Sequence, residues 1–301
     1  MVPLVGLCVV GAFHRADTAI PPGFAGRHVS VSLPAPGGEV PLRVHQAGNG
    51  RDVLLIHGSP GSVEDWEPVM SAMDGTFHLT AYDRPGHGFS GDTGAYSLEH
   101  NAQVAIALID ALKLEHVVVV GHSYGGATAL AMALHGPPAV DAYVIIDSAT
   151  YTPSRKADFT LRILDVPLLG YGLGTIGAGW MAPKKIRKGL IDVFGGRTPP
   201  EDFVTLRTRI WSSPKVTHAI AEETLGAEEE LRSLSGRYRS IQSPVYIVAE
   251  ADSEFRRHTA ARLHGEIEGS SLELLPGAGH YLQFEKTAEV VATIRRAAAE
   301  H

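Results

Sequence analysis

Val117-Val118-Val119-Val120-Gly121-His122-Ser123-Tyr124-Gly125-Gly126-Ala127 is the stretch on which the fold turns. Four consecutive β-branched residues read as a strand buried on both faces, as in a parallel sheet covered by helices. After Ser123 the pattern changes to small and apolar residues as far as Leu134, which read as a helix packed closely on that sheet. Gly121-x-Ser123-x-Gly125 between the two fits a nucleophile elbow, a sharp strand-to-helix turn that holds a serine hydroxyl up and exposed. Strand and helix backbones approach so closely at such a turn that a Cβ two residues either side of the serine would collide. The competing reading, a Gly-Ser loop without chemistry, does not account for the strand before and the helix after.

Working outward, strands and helices alternate on both sides of the elbow. His28–Leu33 and Pro41–Gln46 alternate apolar and polar residues across a Pro-Ala-Pro-Gly-Gly turn and read as an antiparallel edge hairpin. Val53–Ile56 and His78–Tyr82 are further strands, with a short helix from Glu64 to Met73 between them. Ser97 caps a helix whose apolar positions Leu98, Ala102, Ala105, Ile109 and Leu112 share one face. Beyond the elbow come strands at Ala142–Ile146, Pro244–Ala249 and Ser271–Leu275, and helices at Arg256–Gly265 and Glu285–Ala299. This order predicts an α/β fold: a mostly parallel eight-stranded sheet, helices on both faces, and a helical cap inserted after strand 6.

The cap is where alternation stops. Residues 150–240 hold helical segments at Pro183–Phe194, Glu201–Ser212 and Lys215–Ser233 and no buried strand. The core is then 21–149 and 241–301. The basic run Lys184-Lys185-x-Arg187-Lys188 reads as a solvated helix face.

Composition narrows the class. The 301 residues are 44% hydrophobic and 20% charged, as in an ordinary globular protein. A net charge of −7 without a basic cluster argues against a nucleic-acid surface. The single cysteine, Cys8, excludes an internal disulfide. Fifteen histidines are scattered without metal-site spacing, so neither a metal nor another cofactor is expected. Residues 1–20 form an apolar segment. Its first thirteen residues are too short to span a bilayer, which needs about 20, and lack signal-peptide flanks. A cytoplasmic location is expected, with membrane association through residues 1–13, the remnant of an anchor, as the alternative. Oligomeric state is not readable.

A serine hydroxyl needs a base, and the base an orienting carboxylate. In elbow enzymes these follow in the order serine, acid, histidine, on loops at the carboxyl ends of later strands. Ser123, Asp252 and His280 offer that order. His280 lies in a Gly-rich turn directly after a strand. Asp252 has competitors in Glu250 and in Asp147, with Asp147 the first alternative. Asp83, His57, His87 and His122 read as structural loop residues. The oxyanion hole should use the Tyr124 amide and the Ser59 amide, with Gly61 as fallback, because Pro60 has no N–H. Trp66, Trp180, Trp211 and Tyr281 are candidate pocket residues, and Tyr151 and Met181 are further aromatic or apolar candidates.

Together, His57-Gly58-Ser59-Pro60-Gly61, Asp83-Arg84-Pro85-Gly86-His87-Gly88-Phe89-Ser90, the elbow, Asp252 and Gly279-His280 resemble the α/β-hydrolase fold superfamily over residues 27–149 and 241–300. Ser123 stands where haloalkane dehalogenases and epoxide hydrolases of this fold carry aspartate. The chain therefore looks like the capped serine esterases, lactonases, carbon–carbon bond hydrolases and cofactor-free haloperoxidases. Ile20-Pro21-Pro22-Gly23-Phe24 looks like a subgroup with an N-terminal anchor. The resemblance implies hydrolysis of an ester or related acyl bond of a small apolar molecule through an acyl-enzyme. Carbon–carbon hydrolysis or perhydrolysis on the same triad is the alternative, and a non-catalytic binding module the contrasting class.

Overall fold

In the computed structural model, residues 20, 23–33, 38–73, 75–152, 182–211 and 213–301 are described. Eight strands form one sheet: β1 (Arg27–Leu33), β2 (Gly38–Gly48), β3 (Arg51–Ile56), β4 (Phe77–Tyr82), β5 (Val117–His122), β6 (Val140–Ile146), β7 (Val245–Glu250) and β8 (Ser271–Leu275). Their spatial order is β1-β2-β4-β3-β5-β6-β7-β8. β2 pairs antiparallel with β1 and β4, and every later pair is parallel. The elbow strand β5 is thus central, flanked by β3 and β6, and it is buried along its whole length.

The nine helices are α1 (Glu67–Ala72), α2 (Leu98–Leu112), α3 (Tyr124–His135), α4 (Ala182–Val193), α5 (Glu201–Trp211), α6 (Pro214–Ser235), α7 (Glu254–Glu266), α8 (Leu282–Glu285) and α9 (Thr287–Ala299), counted among the described residues. Two apolar layers hold the sheet. On one face Leu54, Ile56, Val117, Val119 and Ile145 pack with α2, α3 and α7. On the other, Val53, Leu55, Val118, Val120 and Ile146 pack with Trp66, Leu282, Val290 and Ile294. The alternation of β3 and β5 between these layers follows from the two-residue side-chain period of a strand. Both layers being apolar explains why neither strand alternates in hydropathy. Truncating a fully buried residue such as Leu54 to alanine would cost about 2–5 kcal/mol.

Local signals mostly match the elements. Ser97 caps α2, its hydroxyl accepting from the His100 amide at 3.1 Å. The expected helix at 64–73 is a 3-10 turn, Val63–Trp66, followed by α1. The closing helix expected at 285–299 is two helices meeting at Lys286, whose ψ of 42° departs from helical geometry. Between β6 and β7, α4, α5 and α6 form the helical insertion. Leu190, Phe203, Val204, Ile210, Trp211 and Val216 of these helices, with Phe194 just after α4, make a third cluster that includes Tyr281 from the core. No helix among the described residues is long and apolar enough to cross a membrane. Residues 1–13, Cys8, Trp180 and Met181 lie outside the described residues.

Candidate functional site

The elbow has the geometry its glycines foretell. Ser123 sits at φ 54° and ψ −118°, between the end of β5 and the start of α3. A Cβ on Gly121 would overlap the Gly125 carbonyl oxygen. One on Gly125 would overlap the Ile56 carbonyl at the end of β3, so the helix start is wedged against the neighbouring strand as well as its own. The Ser123 carbonyl is occupied: it accepts from the Gly126 amide at 3.0 Å and from the Ser148 hydroxyl at 2.9 Å. Residue and turn are therefore held by α3 on one side and by the segment after β6 on the other.

Ser123 Oγ lies 3.0 Å from His280 Nε2. His280 Nδ1 lies 2.6 Å from Asp147 Oδ2. Serine, imidazole and carboxylate form one hydrogen-bonded line, and its acid end differs from the expectation. Asp252 is exposed and does not reach the imidazole; its Oδ2 accepts from the Gly277 amide at 2.8 Å. The reason is strand order. β6 lies next to β5, whereas β7 and β8 lie further out. His280, at the turn after β8, points back across the end of β7 and meets Asp147, the residue directly after β6. Asp252 instead ties the β7 end to the turn that carries His280.

Backbone strain marks the same two residues. Among the described residues, positive φ outside glycine occurs at Lys113, His116, Ser123 and Asp147. The first two flank the turn after α2, and the other two are the ends of the hydrogen-bonded line. Such conformations cost about 1–3 kcal/mol each and persist where the surroundings over-determine them. Asp147 is over-determined: its amide donates to the Val248 carbonyl at 2.7 Å and its Oδ1 accepts from the Glu250 amide at 3.1 Å. Arg256 Nη1 from α7 also lies against its Oδ2.

Burial sets the electrostatics. It works to raise the Asp147 pKa, but the His280 hydrogen bond and the charges of His280 and Arg256 bring it below the usual carboxylate range. Burial pulls the His280 pKa below that of free imidazole, against the opposing pull of Asp147. A neutral imidazole beside an ionised carboxylate is the state a general base requires. His122 is held neutral more strongly, pushed down to about 3 chiefly by burial, and its Nε2 is 2.9 Å from the His280 carbonyl.

The remaining loop residues are structural. Asp83 accepts from the Val63 and Phe89 amides, each at 2.8 Å, and from Arg43 Nη1 at 3.2 Å. His57 Nδ1 is 2.7 Å from the Gly58 carbonyl, and its Nε2 accepts from the Arg84 amide at 2.9 Å. Arg84 Nη2 donates to the Gly58 carbonyl at 3.0 Å and to Glu223 Oε2 of α6 at 3.2 Å. His87 Nε2 is 3.1 Å from Glu223 Oε1. Arg207 of α5 pairs with buried Asp65, and Lys215 Nζ donates to the Gly88 carbonyl at 3.1 Å. The cap is thus fastened to the core by buried charges. Pattern reading of the cap finds none of them, because Arg207, Lys215 and Glu223 look like ordinary polar residues of surface helices. Arg187 and Lys188 of the basic run are exposed, as a solvated face requires.

A cavity of about 420 Å³ opens over Ser123. Gly58, Ser59, Pro60, His122 and His280 form its floor, and Ile186, Leu190, Trp211, Ile220 and Tyr281 its walls. Trp211 and Tyr281 therefore serve as both cap core and pocket wall. Trp66 does not reach it: the ring is fully buried under the sheet with Val69 and Leu282. Tyr151 is likewise core, its hydroxyl donating to Glu266 Oε2 at 3.0 Å. Tyr124 is the first residue of α3, so its amide has no intrahelical acceptor. Among the described residues no group of three or more His, Cys, Asp or Glu side chains is arranged to hold a metal ion.

Sheet order, elbow and hydrogen-bonded Ser-His-Asp line define the class of α/β hydrolases. The Alpha/beta hydrolase family model matches residues 53–293, and the chain belongs to that family. The chain is 27% identical over 275 residues to 2-(acetamidomethylene)succinate hydrolase of Mesorhizobium japonicum, covering 86% of this chain and 90% of that protein. It is 26% identical over 261 residues to 2-hydroxy-6-oxo-2,4-heptadienoate hydrolase of Pseudomonas putida, covering 83% and 89%. A thermophilic esterase from Thermogutta terrifontis shares the fold with a TM-score of 0.74 at 20% identity, over 91% of this chain and 98% of that one.

Proposed function

We propose that the protein is a serine hydrolase that cleaves a carboxylic ester, or a related acyl bond, of a small uncharged substrate through an acyl-enzyme. The observation that carries this reading is the line from Ser123 Oγ through His280 to Asp147 at the floor of a largely apolar cavity. Ser123 attacks the carbonyl while His280 Nε2 takes its proton, later returning it to the leaving alcohol; Asp147 holds the Nδ1–H tautomer and balances the imidazolium. The Tyr124 and Ser59 amides receive the oxyanion. Water, activated by the same imidazole, then releases the acid.

The walls support an uncharged substrate. No Lys, Arg, Asp or Glu is among the described residues lining the cavity. Among the described residues, the cations Arg84, Arg207 and Arg256 are each engaged by a carboxylate: Arg84 with Glu223, Arg207 with Asp65, and Arg256 with Asp147. The Mesorhizobium and Pseudomonas relatives are named for carboxylate substrates, whose anionic group needs a cation or donor cluster when buried. Carbon–carbon hydrolysis of such an acid is therefore the less favoured use of the site.

The test is turnover of a panel of p-nitrophenyl esters from acetate to decanoate, set against carboxylate-bearing analogues. Hydrolysis of the neutral esters that is lost in Ser123→Ala, at least about 10⁴-fold in kcat, is the expected result. Turnover by Ser123→Ala equal to the parent enzyme, or a preference for anionic substrates, would sink the reading.

A further inference from the structure

Behind the imidazole lie two charged groups, Arg256 and Glu250, that the ester-cleaving scheme does not use. Arg256, in the first turn of α7, sends Nη1 against both Asp147 Oδ2 and His280 Nδ1. Its Nε faces Glu250 Oε2 at 3.6 Å. Glu250 ends β7; its backbone amide donates to Asp147 Oδ1 at 3.1 Å, and its own Oε1 accepts from the Ser253 amide at 2.6 Å. That last contact fixes the residue that caps α7, since the Ser253 hydroxyl accepts from the Arg256 amide. The guanidinium is thus anchored by its own helix start and by the strand end beside the acid. Asp147 and Glu250 side chains are 1% and 7% exposed, while Arg256 is 31% exposed.

We propose that Arg256 is a positioning residue: it clamps the Asp147 carboxylate against His280 and, balanced by Glu250, sets how readily the imidazole takes a proton. One carboxylate oxygen then serves two partners while the other is held by the Glu250 amide, so Asp147 cannot swing away from the imidazole. Because Nδ1–H is directed at Asp147, the guanidinium acts on the ring through its charge rather than by a hydrogen bond. Among the described residues, the groups facing His280 are Asp147 just after β6, Glu250 from β7, Arg256 from α7, Ser123 and His122 from the elbow, and its neighbour Tyr281. His122 is held neutral by burial and Ser123 carries no charge, so the balance lies among two carboxylates and one guanidinium. Arg256 draws the His280 pKa down and Glu250 draws it up. The arrangement keeps the base neutral, and the enzyme working, at lower pH than an aspartate–histidine pair alone would allow.

Opposite signs make the test. Arg256→Met should move the acid limb of kcat/KM to higher pH by about one unit, so that activity well below the limb falls about tenfold further than on the plateau. Glu250→Gln should move it to lower pH, and Arg256→Lys should restore the parent limb. The inference rests on the Ser123–His280–Asp147 reading, and the two can fail separately. The His280 imidazole titration, followed by NMR in Ser123→Ala with and without Arg256→Met and assigned against His280→Gln, needs no turnover. An upward shift there supports the role of Arg256 even if the ester assignment falls. An unmoved or lowered His280 titration in Arg256→Met would overturn it, as would shifts of the same sign in the Arg256 and Glu250 variants. Should Arg256→Met not fold, the Glu250→Gln shift and the Arg256→Lys limb decide.

Discussion

Two buried charged regions of this protein do opposite things with similar residues. At the carboxyl edge of the sheet, Asp147, Glu250 and Arg256 stand behind His280, which faces Ser123, and in the proposed reaction the imidazole must change protonation during turnover. Under the cap, Arg84, His87 and Glu223 form a closed network in which nothing needs to titrate. Glu223 is drawn down to about 2, with Arg84 and His87 overcoming the upward push of burial. The difference lies in what completes each network. The cap cluster satisfies its charges internally, with Asn101 Oδ1 accepting from Arg84 at 3.2 Å. The sheet-edge cluster leaves His280 Nε2 facing a hydroxyl and an open cavity. A buried ion pair fastens; a buried pair with one free valence works.

Exchanging the acids should separate the two regions most strongly. Asp147→Asn should lower kcat for a neutral ester about 10³–10⁴-fold, since the imidazole loses its tautomer and its counter-charge. Asp252→Asn should stay within about tenfold, because Asp252 only steadies the turn bearing His280. Steady-state kinetics of the two variants read this directly, and equal losses would mean that Asp147 and Asp252 do not differ in role.

In the cap network the corresponding change is structural. Glu223→Gln leaves Arg84 buried without a counter-charge and should cost about 3 kcal/mol in denaturant unfolding, with kcat less affected than in Asp147→Asn. A stability equal to the parent protein would mean that the cap is not fastened there.

Acid should sharpen the contrast further. The His122 pKa is depressed from 6.5 to about 3 in the folded state. A depressed value means that the unfolded chain binds the proton first. The contribution is therefore fully present above pH 6.5 and is lost as pH falls towards 3. His57 and His87 are depressed too, by burial first and the charge on Arg84 in addition, although Glu223 draws His87 the other way. Unfolding free energy should fall between pH 6.5 and 4 in denaturant titrations, and less steeply in His122→Gln. The smallest effect is expected on the cap surface: Arg187→Ala, which removes the exposed pair with Glu201, should leave the denaturation midpoint where it was.

Much of this molecule was legible as sequence, and the reason differs from place to place. Val117–Val120 and Gly121-x-Ser123-x-Gly125 announce strand, turn and helix because each residue type answers a local steric demand. His280 is equally local, placed by the strand before it and the Gly-rich turn around it. A tryptophan near the Gly58–Pro60 loop has the same pattern whether it faces the cavity or the core, and Trp66 faces the core. Chain order favours Asp252, an acid after β7, over Asp147, and says nothing of which strand end lies within reach of the imidazole. Arg256 carried no signal, one arginine on a polar helix.

Side-chain period, glycine sterics and residue chemistry within a few positions thus specify the sheet, most of the helices, the elbow serine and the histidine. Which carboxylate meets the histidine, which arginine stands behind it, and which cap residues are buried charges emerge only in the folded chain. Those choices depend on strand order and on desolvation. Both are properties of neighbours brought together from positions as far apart as Asp147 and His280, and no local pattern records them.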